Sequence, residues 1–263
     1  MQYIKKCDII SVTFLEGSIM EKEKFTVRFA ETESEKNAAY ALRYRDMLLE
    51  YRADAEHQDG LDITCYDEYA RQIICIDNQT GEVVGCYRIV TDDCLPDGKP
   101  FVCEEEFTLD GLKATGERIA ELSRAVVKKE YRGTIVLPLL LRFVVQYIRE
   151  KNYRFVIGEA SFYGTDKHLY QKELSYLAAC VPLDERFGVQ SKEKEQIELL
   201  DKDTLDMQQR KRNLPALIRA YQAFGAKFSK DSFTDRTFGS VDVFVLLDTQ
   251  NYNQAYVNRL LKT

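Results

Sequence analysis

The middle of the chain carries a strand–loop–helix unit that restricts the possible folds more than any other segment does. Arg118–Val127 is a mostly apolar run that predicts a strand, and Lys128–Gly133 predicts a polar loop. A helix opened by Thr134 is predicted next, because apolar residues recur there at spacings of 3, 4, 7, 8 and 11 residues. Its apolar face consists of Leu137, Leu140, Leu141, Val144, Val145 and Ile148. Such a helix must pack its apolar face against another element, and a strand leads into it, so the unit predicts an α/β fold.

Strand and helix signals on either side of this unit complete the expected sheet. Phe25, Val27 and Phe29 alternate with polar residues, as in a half-buried strand. A capping-box pattern, Thr32-Glu-Ser-Glu35, then predicts the start of a helix. The other predicted strands are Ile73–Ile76, Val83–Val90, Phe155–Gly158 and Val241–Leu247, and the other predicted helices are Leu169–Cys180 and Leu214–Phe228. This order predicts a mixed sheet with helices on both faces.

The domain organisation follows from the absence of an internal repeat or a Pro/Gly/Ser-rich linker in the sequence. We predict one domain, residues 25–263, behind an N-terminal extension, residues 1–24, that contains a strand at Ile9–Phe14. Residues 184–212 carry 15 charged residues in 29. For this charged segment we predict either a mobile cover over a binding groove or a solvated helix or hairpin.

Composition excludes several functional classes. The net charge of -6 and pI near 5.3 provide no global basic field for holding nucleic acid, so we expect no nucleic-acid partner. Seven scattered cysteines without a CxxC pair indicate reduced thiols in the cytoplasm, and two histidines are too few for a histidine-rich metal cluster. The sequence has no signal-peptide core and no apolar run of the ~18 residues that a membrane span needs. We therefore expect a cytoplasmic protein without a metal, and peripheral contact with a membrane surface stays open.

Charged residues inside apolar strands are the first candidates for a site. The predicted strand Arg118–Val127 contains Glu121-Leu-Ser-Arg124, and Arg88 lies in the apolar run Val83–Val90. Because unpaired charges in a core cost several kcal/mol, these groups either lie on a solvated edge strand or line a cleft. Arg88 is expected to pair with a carboxylate, for which Asp67 and Glu121 are both candidates.

The loop Lys128–Gly133 and the following helix start offer a second candidate. The N-terminus of a helix presents free N–H groups and a partial positive charge, which suit a phosphate. A single glycine, Gly133, is a weak signal on its own. A serine-hydrolase site at Ser161 with His168 is disfavoured, because the G-x-S-x-G elbow is missing.

Several short motifs occur in a characteristic order along the chain. They are Leu42-Arg43-Tyr44-Arg45, Tyr66-Asp67, Val84-Gly-Cys-Tyr-Arg88, Glu121-Leu-Ser-Arg124, Tyr131-Arg132-Gly133, Ala160-Ser-Phe-Tyr-Gly-Thr-Asp166, Leu214–Ala226 and Asp242–Asp248. In this combination the chain resembles the ornithine-lipid-type N-acyltransferases, including the N-acyl amino acid synthases of gut bacteria, members of which often carry the label hemolysin. The resemblance covers about Phe25 to Asp248. The N-terminal half also resembles the acyl-homoserine-lactone synthases.

The resemblance implies a GNAT fold, with a mixed, mostly antiparallel central sheet flanked by helices on both faces. It also implies an N-acyltransferase that moves a long-chain fatty acyl group from an acyl-carrier-protein thioester to the amine of an amino acid such as ornithine, lysine or glycine. The product would be an N-acyl amino acid lipid, and acyl carrier protein or coenzyme A would be a co-substrate carrier rather than a tightly bound cofactor. Two departures leave the acceptor open: Thr64 stands where a second aspartate is common, and Gln72-Ile73 stands where a His-Leu pair is common.

The resemblance also implies the site residues, by position. Arg43, Asp67 and Arg88 would bind the acceptor, whose carboxylate suits a bidentate arginine. Glu121, Ser123 and Arg124 would be catalytic, with Glu121 as the general base acting through water. Backbone N–H groups around Ala125–Val127 would polarise the thioester carbonyl. The donor-binding residues would be Val126, Val127, Lys129, Arg132, Gly133 and Thr134, and we expect the basic side chains of this loop to meet an acidic carrier protein.

Three alternative functions remain at this point. An acyl-homoserine-lactone synthase would use a cyclisable, methionine-derived acceptor. A short-chain acetyltransferase that uses coenzyme A would have a Gly-rich loop, and Tyr131–Thr134 is a poorer version of one. A binding module with a decayed site would have lost Glu121 or Arg124.

A shared site for Glu121 and Arg124 makes one structural demand. Successive side chains of a strand alternate between its faces, so these two residues belong on opposite faces of a regular strand. A β-bulge between Leu122 and Val126 would add one residue, redirect the side chains after it and release a backbone N–H. We therefore predict a bulge there, and a regular ladder through Val127 would contradict the shared site.

Overall fold

A computed structural model describes residues 24–52, 59–206 and 213–262 of the chain. The strand predicted at Ile9–Phe14, and the N-terminal extension except for its last residue, lie outside these residues. The strands are β1 (Phe25–Phe29), β2 (Arg71–Asp77), β3 (Glu82–Thr91), β4 (Phe107–Thr108), β5 (Ile119–Val127), β6 (Phe155–Tyr163), β7 (Gln190–Ser191), β8 (Lys227–Asp235) and β9 (Ser240–Asp248). The helices are α1 (Glu33–Arg43), α2 (Asp110–Lys113), α3 (Val136–Glu150), α4 (Gln171–Cys180), α5 (Ala216–Phe224) and α6 (Gln254–Lys262).

Seven strands form one sheet in the order β1-β2-β3-β5-β6-β9-β8. Neighbouring strands are antiparallel except β5 and β6, which are parallel. Strands β4 and β7 form a separate two-stranded sheet. The expected mixed, mostly antiparallel sheet is therefore confirmed.

Helices cover both faces of the large sheet, as predicted. Helix α3 packs on one face through Val136, Leu140, Leu141 and Val144, against side chains of β2, β3 and β5, and α5 and α6 extend this layer. Helix α1 packs on the other face through Ala39 and Leu42. Next to α1, the connection between β3 and β5 covers the same face with a second apolar cluster: Phe101, Cys103, Phe107, Leu109 and Leu112.

Helix α1 begins at the predicted capping box. Thr32 Oγ1 accepts a hydrogen bond from the backbone N–H of Glu35, and the Glu35 side chain accepts one from Thr32. The helix continues beyond Arg43 through a π-helical turn, Tyr44–Leu48, to Tyr51. A π-turn widens the helix by one residue per turn and occurs often at functional sites. This one follows directly after the fully buried Arg43.

Three element predictions need correction. The strand predicted at Phe155–Gly158 runs on to Tyr163, because polar residues on one face alternate with buried Ala160 and Phe162 on the other. The helix predicted at Leu214–Phe228 ends at Phe224, where Gly225 adopts a φ of 97° at the C-cap. The polar edge strand β8 begins two residues later and was not predicted.

The described part of the charged segment does not form the predicted solvated helix or hairpin. Its described part, residues 184–206, contains two 3₁₀ turns, Glu185–Phe187 and Lys202–Thr204, and the short strand β7. Phe187 anchors it, since its side chain packs in the cluster that covers the β3–β5 connection. Residues 184–206 therefore pair with the β3–β5 connection through β7 rather than folding back on themselves.

The predicted β-bulge in β5 is confirmed. Cys86 of β3 faces Val126, but Arg88 faces Ser123, so β5 has one more residue than β3 between these pairs. Arg124 in this interval adopts a φ of 55°, which is uncommon for a residue other than glycine. Such a conformation costs roughly 1–3 kcal/mol and persists only where surrounding contacts hold it.

Strands β5 and β6 separate just before the bulge. Their paired positions run from Ile119 with Phe155 to Glu121 with Ile157 among the described residues. Beyond that point, Gly158 lies so close to β5 that a Cβ on it would be 2.4 Å from the carbonyl oxygen of Leu122. Only glycine fits at this contact, and the two strands diverge after it.

Within residues 24–52, 59–206 and 213–262, none of the helices combines the length and the apolar character that crossing a bilayer demands.

The contact at Gly158 generates a stability prediction. Gly158→Ala places a methyl group against a backbone carbonyl, which cannot rotate away as a side chain could. We expect a loss of about 1–3 kcal/mol in the free energy of unfolding, as for other overpacked interiors. Urea denaturation measures it, and a change below ~0.5 kcal/mol, the range of ordinary surface substitutions, would contradict the close approach of the strands.

Candidate active site

A buried network of arginines and aspartates lies between α1 and the sheet. Arg43 makes two parallel hydrogen bonds to Asp67, of 2.7 and 3.0 Å, and its Nε donates to Asp62 at 2.9 Å. Its side chain is fully buried. Burial alone would raise the pKa of Asp67, but the hydrogen bond and charge of Arg43 and the charge of Arg88 lower it to about 2. Asp67 therefore carries a permanent negative charge, and Arg43 has carboxylate partners on two sides.

Thr64 shapes the turn that presents Asp67. It caps the 3₁₀ turn Cys65–Glu68, since both its backbone N–H and its hydroxyl donate to Asp67 Oδ2, at 2.8 and 3.1 Å. The same hydroxyl accepts a 2.7 Å hydrogen bond from Arg88 Nη1. The threonine found in place of a common second aspartate thus keeps a hydrogen-bonding role without adding a charge.

Arg88 belongs to the same network, and its guanidinium is not fully hydrogen-bonded within the described residues. Its Nε donates to Ser123 Oγ at 2.9 Å and its Nη1 to Thr64 and, at 3.4 Å, to Asp67. Its Nη2 is buried and has no hydrogen-bond partner in the described structure. Burial, together with the charge of Arg124, lowers the pKa of Arg88 to about 10. A desolvated guanidinium with a free N–H group suits an anionic ligand.

The bulge directs Arg124 toward the same network. Arg124 Nε donates at 3.1 Å to Asp62 Oδ2, the atom that also accepts from Arg43. Its guanidinium also lies over the ring of Phe238, 5.1 Å from the centroid. Asp62 is thus the anchor that holds the strained Arg124, and sequence analysis missed it because it lies in a polar stretch that predicted only a loop.

Glu121 has a different environment from the one expected for a free base. Its two carboxylate oxygens accept backbone N–H bonds from Val102 and Cys103, both at 2.7 Å, and the residue is 1% exposed. Burial raises the pKa of Glu121, and these hydrogen bonds partly oppose that rise. Glu121 therefore fastens the β3–β5 connection to the sheet through the backbone of Val102 and the backbone and thiol of Cys103.

A second group of carboxylates, which sequence analysis missed, lies on the same face of the sheet. Glu159 of β6 and Asp242 of β9 are diagonal neighbours, because Glu159 faces Phe244 and Ser161 faces Asp242. Glu106 packs over them from the β3–β5 connection, and ligand atoms of Glu106, Asp242 and Asp235 lie within 4.8 Å of one another. The available signal was a charged residue in each of two apolar strand patterns.

These carboxyls are desolvated and repel one another. Burial, with the charges of Glu159, Asp242 and Asp235, raises the pKa of Glu106 to about 11. Burial and the charges of Asp242 and Glu121 also raise the pKa of Glu159 well above its ordinary value. Burial raises the pKa of Asp242 to about 6, despite the hydroxyls of Ser161 and Ser240. Burial and mutual repulsion therefore favour the protonated forms of Glu106 and Glu159.

The opposite face of the sheet holds an apolar pocket of a different character. It encloses about 690 Å³ of space not filled by atoms, its open mouth included. Leu122, Ile157 and Gly158 line its inner end, where β5 and β6 separate, and the rest is lined by α3, α5, α6 and their neighbouring strands. Tyr221, another lining residue, pairs its hydroxyl with that of Tyr87. The lining is almost entirely apolar, so the pocket suits an apolar ligand.

The predicted donor-binding loop lies at the start of α3. Val126 is buried, Val127 is half-buried, and Gly133 adopts a φ of 80° before the helix begins at Val136. Thr134 Oγ1 donates to the Tyr131 carbonyl at 2.6 Å. The basic side chains are already paired within the protein: Arg132 with Glu50 at 3.0 Å, Lys129 with Glu50 at 3.2 Å, and Lys128 with Glu82 at 2.7 Å.

The structure thus brings most of the predicted site together. Arg43, Asp67, Arg88, Ser123 and Arg124 are connected by hydrogen bonds, directly or through Asp62. Glu121 is bonded to the adjacent connection instead, although its charge acts on Arg88. His168 is exposed, so it is not placed as a buried base beside Ser161.

The carboxyl cluster predicts a characteristic pH dependence of stability. The pKa of Glu106 is about 11 when folded, against an ordinary value of 4.5, so between these values the folded chain binds a proton that the unfolded chain releases. The free energy of unfolding should therefore fall as pH rises from 6 to 8, by up to about 1.4 kcal/mol per pH unit. Glu106→Gln should flatten this slope in urea denaturation. Glu150→Gln, at an exposed helix end, should leave it unchanged, and an unaltered slope in Glu106→Gln would contradict the raised pKa.

The sequence of the chain is similar to a family model and to several known proteins. The family model described as "Acetyltransferase (GNAT) domain" matches residues 42–142. The L-ornithine N(alpha)-acyltransferase of Rhodobacter capsulatus is 28% identical over 240 residues, which are 88% of this chain and 93% of that protein. The enzyme of the same name from Agrobacterium fabrum is 27% identical over 243 residues, 88% of this chain and 83% of that protein.

Solved structures show more distant similarity. The CoA-dependent acyl-homoserine lactone synthase BjaI, with MTA, has a TM-score of 0.49 and 14% identity, covering 87% of this chain and 81% of that one. FeeM, an N-acyl amino acid synthase from uncultured soil microbes, has a TM-score of 0.40 and 13% identity, covering 57% and 77%. The resemblance to ornithine-lipid-type N-acyltransferases is confirmed by the sequence relatives. The chain is therefore an acyltransferase that carries a GNAT domain.

Proposed function

We propose that the protein transfers a long-chain acyl group from a thioester to the α-amine of an amino acid, giving an N-acyl amino acid. The observation that carries this proposal is the buried, unpartnered Nη2 of Arg88 on one face of the sheet, across β5 from an apolar pocket on the other face. A carboxylate-binding group and a fatty-chain pocket on either side of one strand fit these two substrates. The names of the sequence relatives support the same reaction.

The acceptor carboxylate is proposed to bind Arg88. Arg43 is the less suitable of the two arginines, because its guanidinium is already bonded to Asp62 and Asp67. Its role is to orient Asp67, which in turn faces Arg88 Nη1 at 3.4 Å. Ser123 positions the Arg88 guanidinium from the other side by accepting from Nε. Only Nη2 is then left to bind the acceptor.

The chemistry requires a neutral amine and a polarised thioester. Glu121 is proposed as the base, acting through water, and its burial favours proton uptake. The amine nitrogen then attacks the thioester carbon, the C–N bond forms, and the C–S bond breaks. The nitrogen gives up its second proton, and the leaving sulfur takes up one. Backbone N–H groups near the bulge, around Ala125–Val127, are the proposed donors to the oxyanion, each worth about 3 kcal/mol.

The acyl chain is proposed to occupy the apolar pocket. Leu122 and Gly158, which lie where the pairing of β5 and β6 ends, line the pocket. We place the thioester carbon next to these two residues, between the strands and close to the acceptor, with the acyl chain inside the apolar pocket. The loop before α3 would receive the phosphate of the donor's pantetheine arm through backbone N–H groups, since its basic side chains pair with Glu50 and Glu82.

Acyl carrier protein remains the proposed donor carrier, with coenzyme A as the alternative. The single Gly133 in place of a Gly-rich diphosphate loop favours the carrier protein. Lys128, Lys129 and Arg132 are already paired with Glu82 and Glu50. Their charges should therefore contribute less to the binding of an acidic carrier protein than the sequence predicts. We also propose that residues 25–263 act as one domain, in the cytoplasm, and that the amphiphilic product leaves toward a membrane surface.

The decisive experiment is a product analysis with an acceptor series. Purified protein should convert palmitoyl-carrier protein or palmitoyl-CoA and an amino acid to an N-palmitoyl amino acid that mass spectrometry detects. Arg88→Lys should raise KM for the amino acid by roughly 100-fold, because lysine cannot replace the guanidinium fork. The same variant should leave KM unchanged for the corresponding amine without a carboxylate.

Two results would contradict this proposal. One is the absence of any N-acyl amino acid from native protein with either donor. The other is an equal loss of activity toward the amino acid and toward the amine without a carboxylate in Arg88→Lys. That result would show that Arg88 supports the fold rather than binding the acceptor carboxylate. A homoserine-lactone product in the same assay would assign the first alternative instead.

The apolar pocket predicts acyl-length selectivity. Val145 is partly buried and lines the pocket, so Val145→Phe should shorten it and lower kcat/KM for a C16 donor relative to a C10 donor by about 10-fold or more. Val27→Phe is the matched control, because Val27 is similarly half-buried but lies away from the pocket on β1. Competition between C10 and C16 thioesters measures the ratio, and an unchanged ratio in Val145→Phe would exclude this pocket as the acyl site.

A further inference from the structure

Four carboxylates lie together on one face of the large sheet, and the transfer chemistry described above uses none of them. Glu159 belongs to β6, Asp242 belongs to β9, and Asp235 is the last residue of β8. The strand pairings place these three side chains on the same face. Glu106 covers them from the β3–β5 connection, directly after the 3₁₀ turn Val102–Glu105. Four elements that are distant in the sequence therefore contribute one carboxylate each.

Three of these side chains present a buried oxygen without a hydrogen-bond donor. Glu106 Oε2, Glu159 Oε1 and Asp242 Oδ1 accept no hydrogen bond within the described residues. Glu106 is 7% exposed and Asp242 is 3% exposed, so both residues are almost completely removed from water. Buried polar groups nearly always have a partner, so three unsatisfied oxygens in one place point to a ligand that supplies positive charge.

The two aspartates are held in place by hydrogen bonds to one of their oxygens. Asp235 Oδ1 accepts from the backbone N–H groups of Thr237 and Phe238, at 2.7 and 2.8 Å. Asp242 Oδ2 accepts from Ser240 Oγ at 2.7 Å. Each aspartate thus has one fixed oxygen and keeps the other available. Hydrogen bonds of this kind orient the carboxylates that bind metal ions.

The protein does not compensate the charge of this cluster with a bonded cation. Within the described residues, no lysine or arginine forms an ion pair with any of the four carboxylates. The charge of Arg124 acts on Glu159 and Asp242, but Arg124 Nε is bonded to Asp62. The carboxylates therefore repel one another, and a bound cation would offset this repulsion.

We propose that Glu106, Asp235 and Asp242 bind one hard divalent cation, Mg²⁺, Mn²⁺ or Ca²⁺, with Glu159 as a fourth carboxylate beside it. The cation would join the β3–β5 connection to strands β8 and β9. Glu121 fastens the same connection to β5, through residues that come three and four positions before Glu106. The proposal goes beyond the acyl transfer and does not depend on it.

The geometry and the donor set fit such an ion. One ligand atom from each of Glu106, Asp235 and Asp242 lies within 4.8 Å of the others. Oxygens on opposite sides of a metal ion are about 4.2 Å apart around Mg²⁺ and about 4.6–5.2 Å apart around Ca²⁺. The three oxygens are therefore close enough to share one ion. All of the ligands are carboxylate oxygens, which hard cations prefer, whereas structural zinc sites use cysteine and histidine.

This proposal departs from our expectation, made from the sequence, of a protein without a metal. That expectation considered histidines and paired cysteines, which are the ligands of zinc sites. Carboxylates from four separate elements have no motif spacing, and the proximity of three of them depends on the strand order β6-β9-β8. No pattern along the chain could therefore indicate this site.

Binding of Mn²⁺ to the purified protein tests the proposal directly. The protein is stripped of metal with EDTA and dialysed, and electron paramagnetic resonance then measures free Mn²⁺ during a titration. We expect one ion per chain with a Kd below about 1 mM, within the range of carboxylate sites in proteins. Competition with Mg²⁺ and with Ca²⁺ then identifies the preferred ion, which displaces Mn²⁺ at the lower concentration.

Two variants locate the ion. Glu106→Gln and Asp242→Asn should each weaken Mn²⁺ binding by at least about 10-fold, because each removes a charged ligand. Both replace a carboxyl with an amide of the same shape and relieve repulsion, so their Tm in EDTA should be no lower than that of the native protein. Glu150→Gln, the same substitution at the exposed end of α3, is the matched control and should bind Mn²⁺ as the native protein does.

Thermal unfolding gives a second measurement. At about 100 times its Kd, the preferred cation should raise the Tm of the native protein by about 5–10 °C relative to EDTA. The same concentration should raise the Tm of Glu106→Gln by no more than about half as much. Because a bound cation keeps the carboxyls ionised, the pH dependence predicted above for Glu106 is measured in EDTA.

Two results would overturn the proposal. One is the absence of saturable binding below about 1 mM for all three cations in the native protein. The other is equally tight binding in Glu106→Gln, Asp242→Asn and the native protein, which would place the ion elsewhere. Either result leaves the proposed acyl transfer standing, because the titration contains no acyl donor.

Discussion

The irregularity of β5 is the constraint on which the rest of the site depends. A regular strand would place Glu121 and Arg124 on opposite faces, whereas the extra residue at Arg124 turns that side chain toward Asp62. The strained φ at Arg124 persists because Asp62 is itself fixed by Arg43. The pairing of this strand with β6 ends just before the bulge, next to the close contact between Gly158 and Leu122.

The charges on the acceptor face constrain one another. Two aspartates bond to three arginines. Arg43 is hydrogen-bonded on two sides, whereas the Nη2 of Arg88 has no hydrogen-bond partner within the described residues. Leaving a buried donor unsatisfied is costly, and proteins tolerate it mainly where a ligand completes the bond. The unsatisfied groups of this face therefore carry more functional information than the satisfied ones do.

Sequence patterns predicted much of this structure, and the failures have physical reasons. The helical period of α3 could be predicted because amphipathic spacing is a local rule. The bulge in β5 could be predicted only because strand alternation was combined with the shared site that the family resemblance implies. The polar strand β8 could not, since an edge strand needs no apolar alternation. Asp62, Glu106, Glu159 and Asp242 were missed as site residues because their proximity depends on loops and strand order. Glu121 was predicted as a base, but its two bonds to the β3–β5 connection depend on a fold of that connection that no local pattern specifies.

Strands β5 and β6 separate a charged environment on one face of the sheet from an apolar environment on the other. The pocket and the partners of Arg88 lie on opposite faces of the sheet, so the effects of substitutions far apart on the two sides should be additive. Substitutions in α3 and α5, which line the apolar pocket, should then change the preference for the acyl chain without changing the preference for the acceptor. A single backbone layer of this kind lets two specificities evolve separately within one domain.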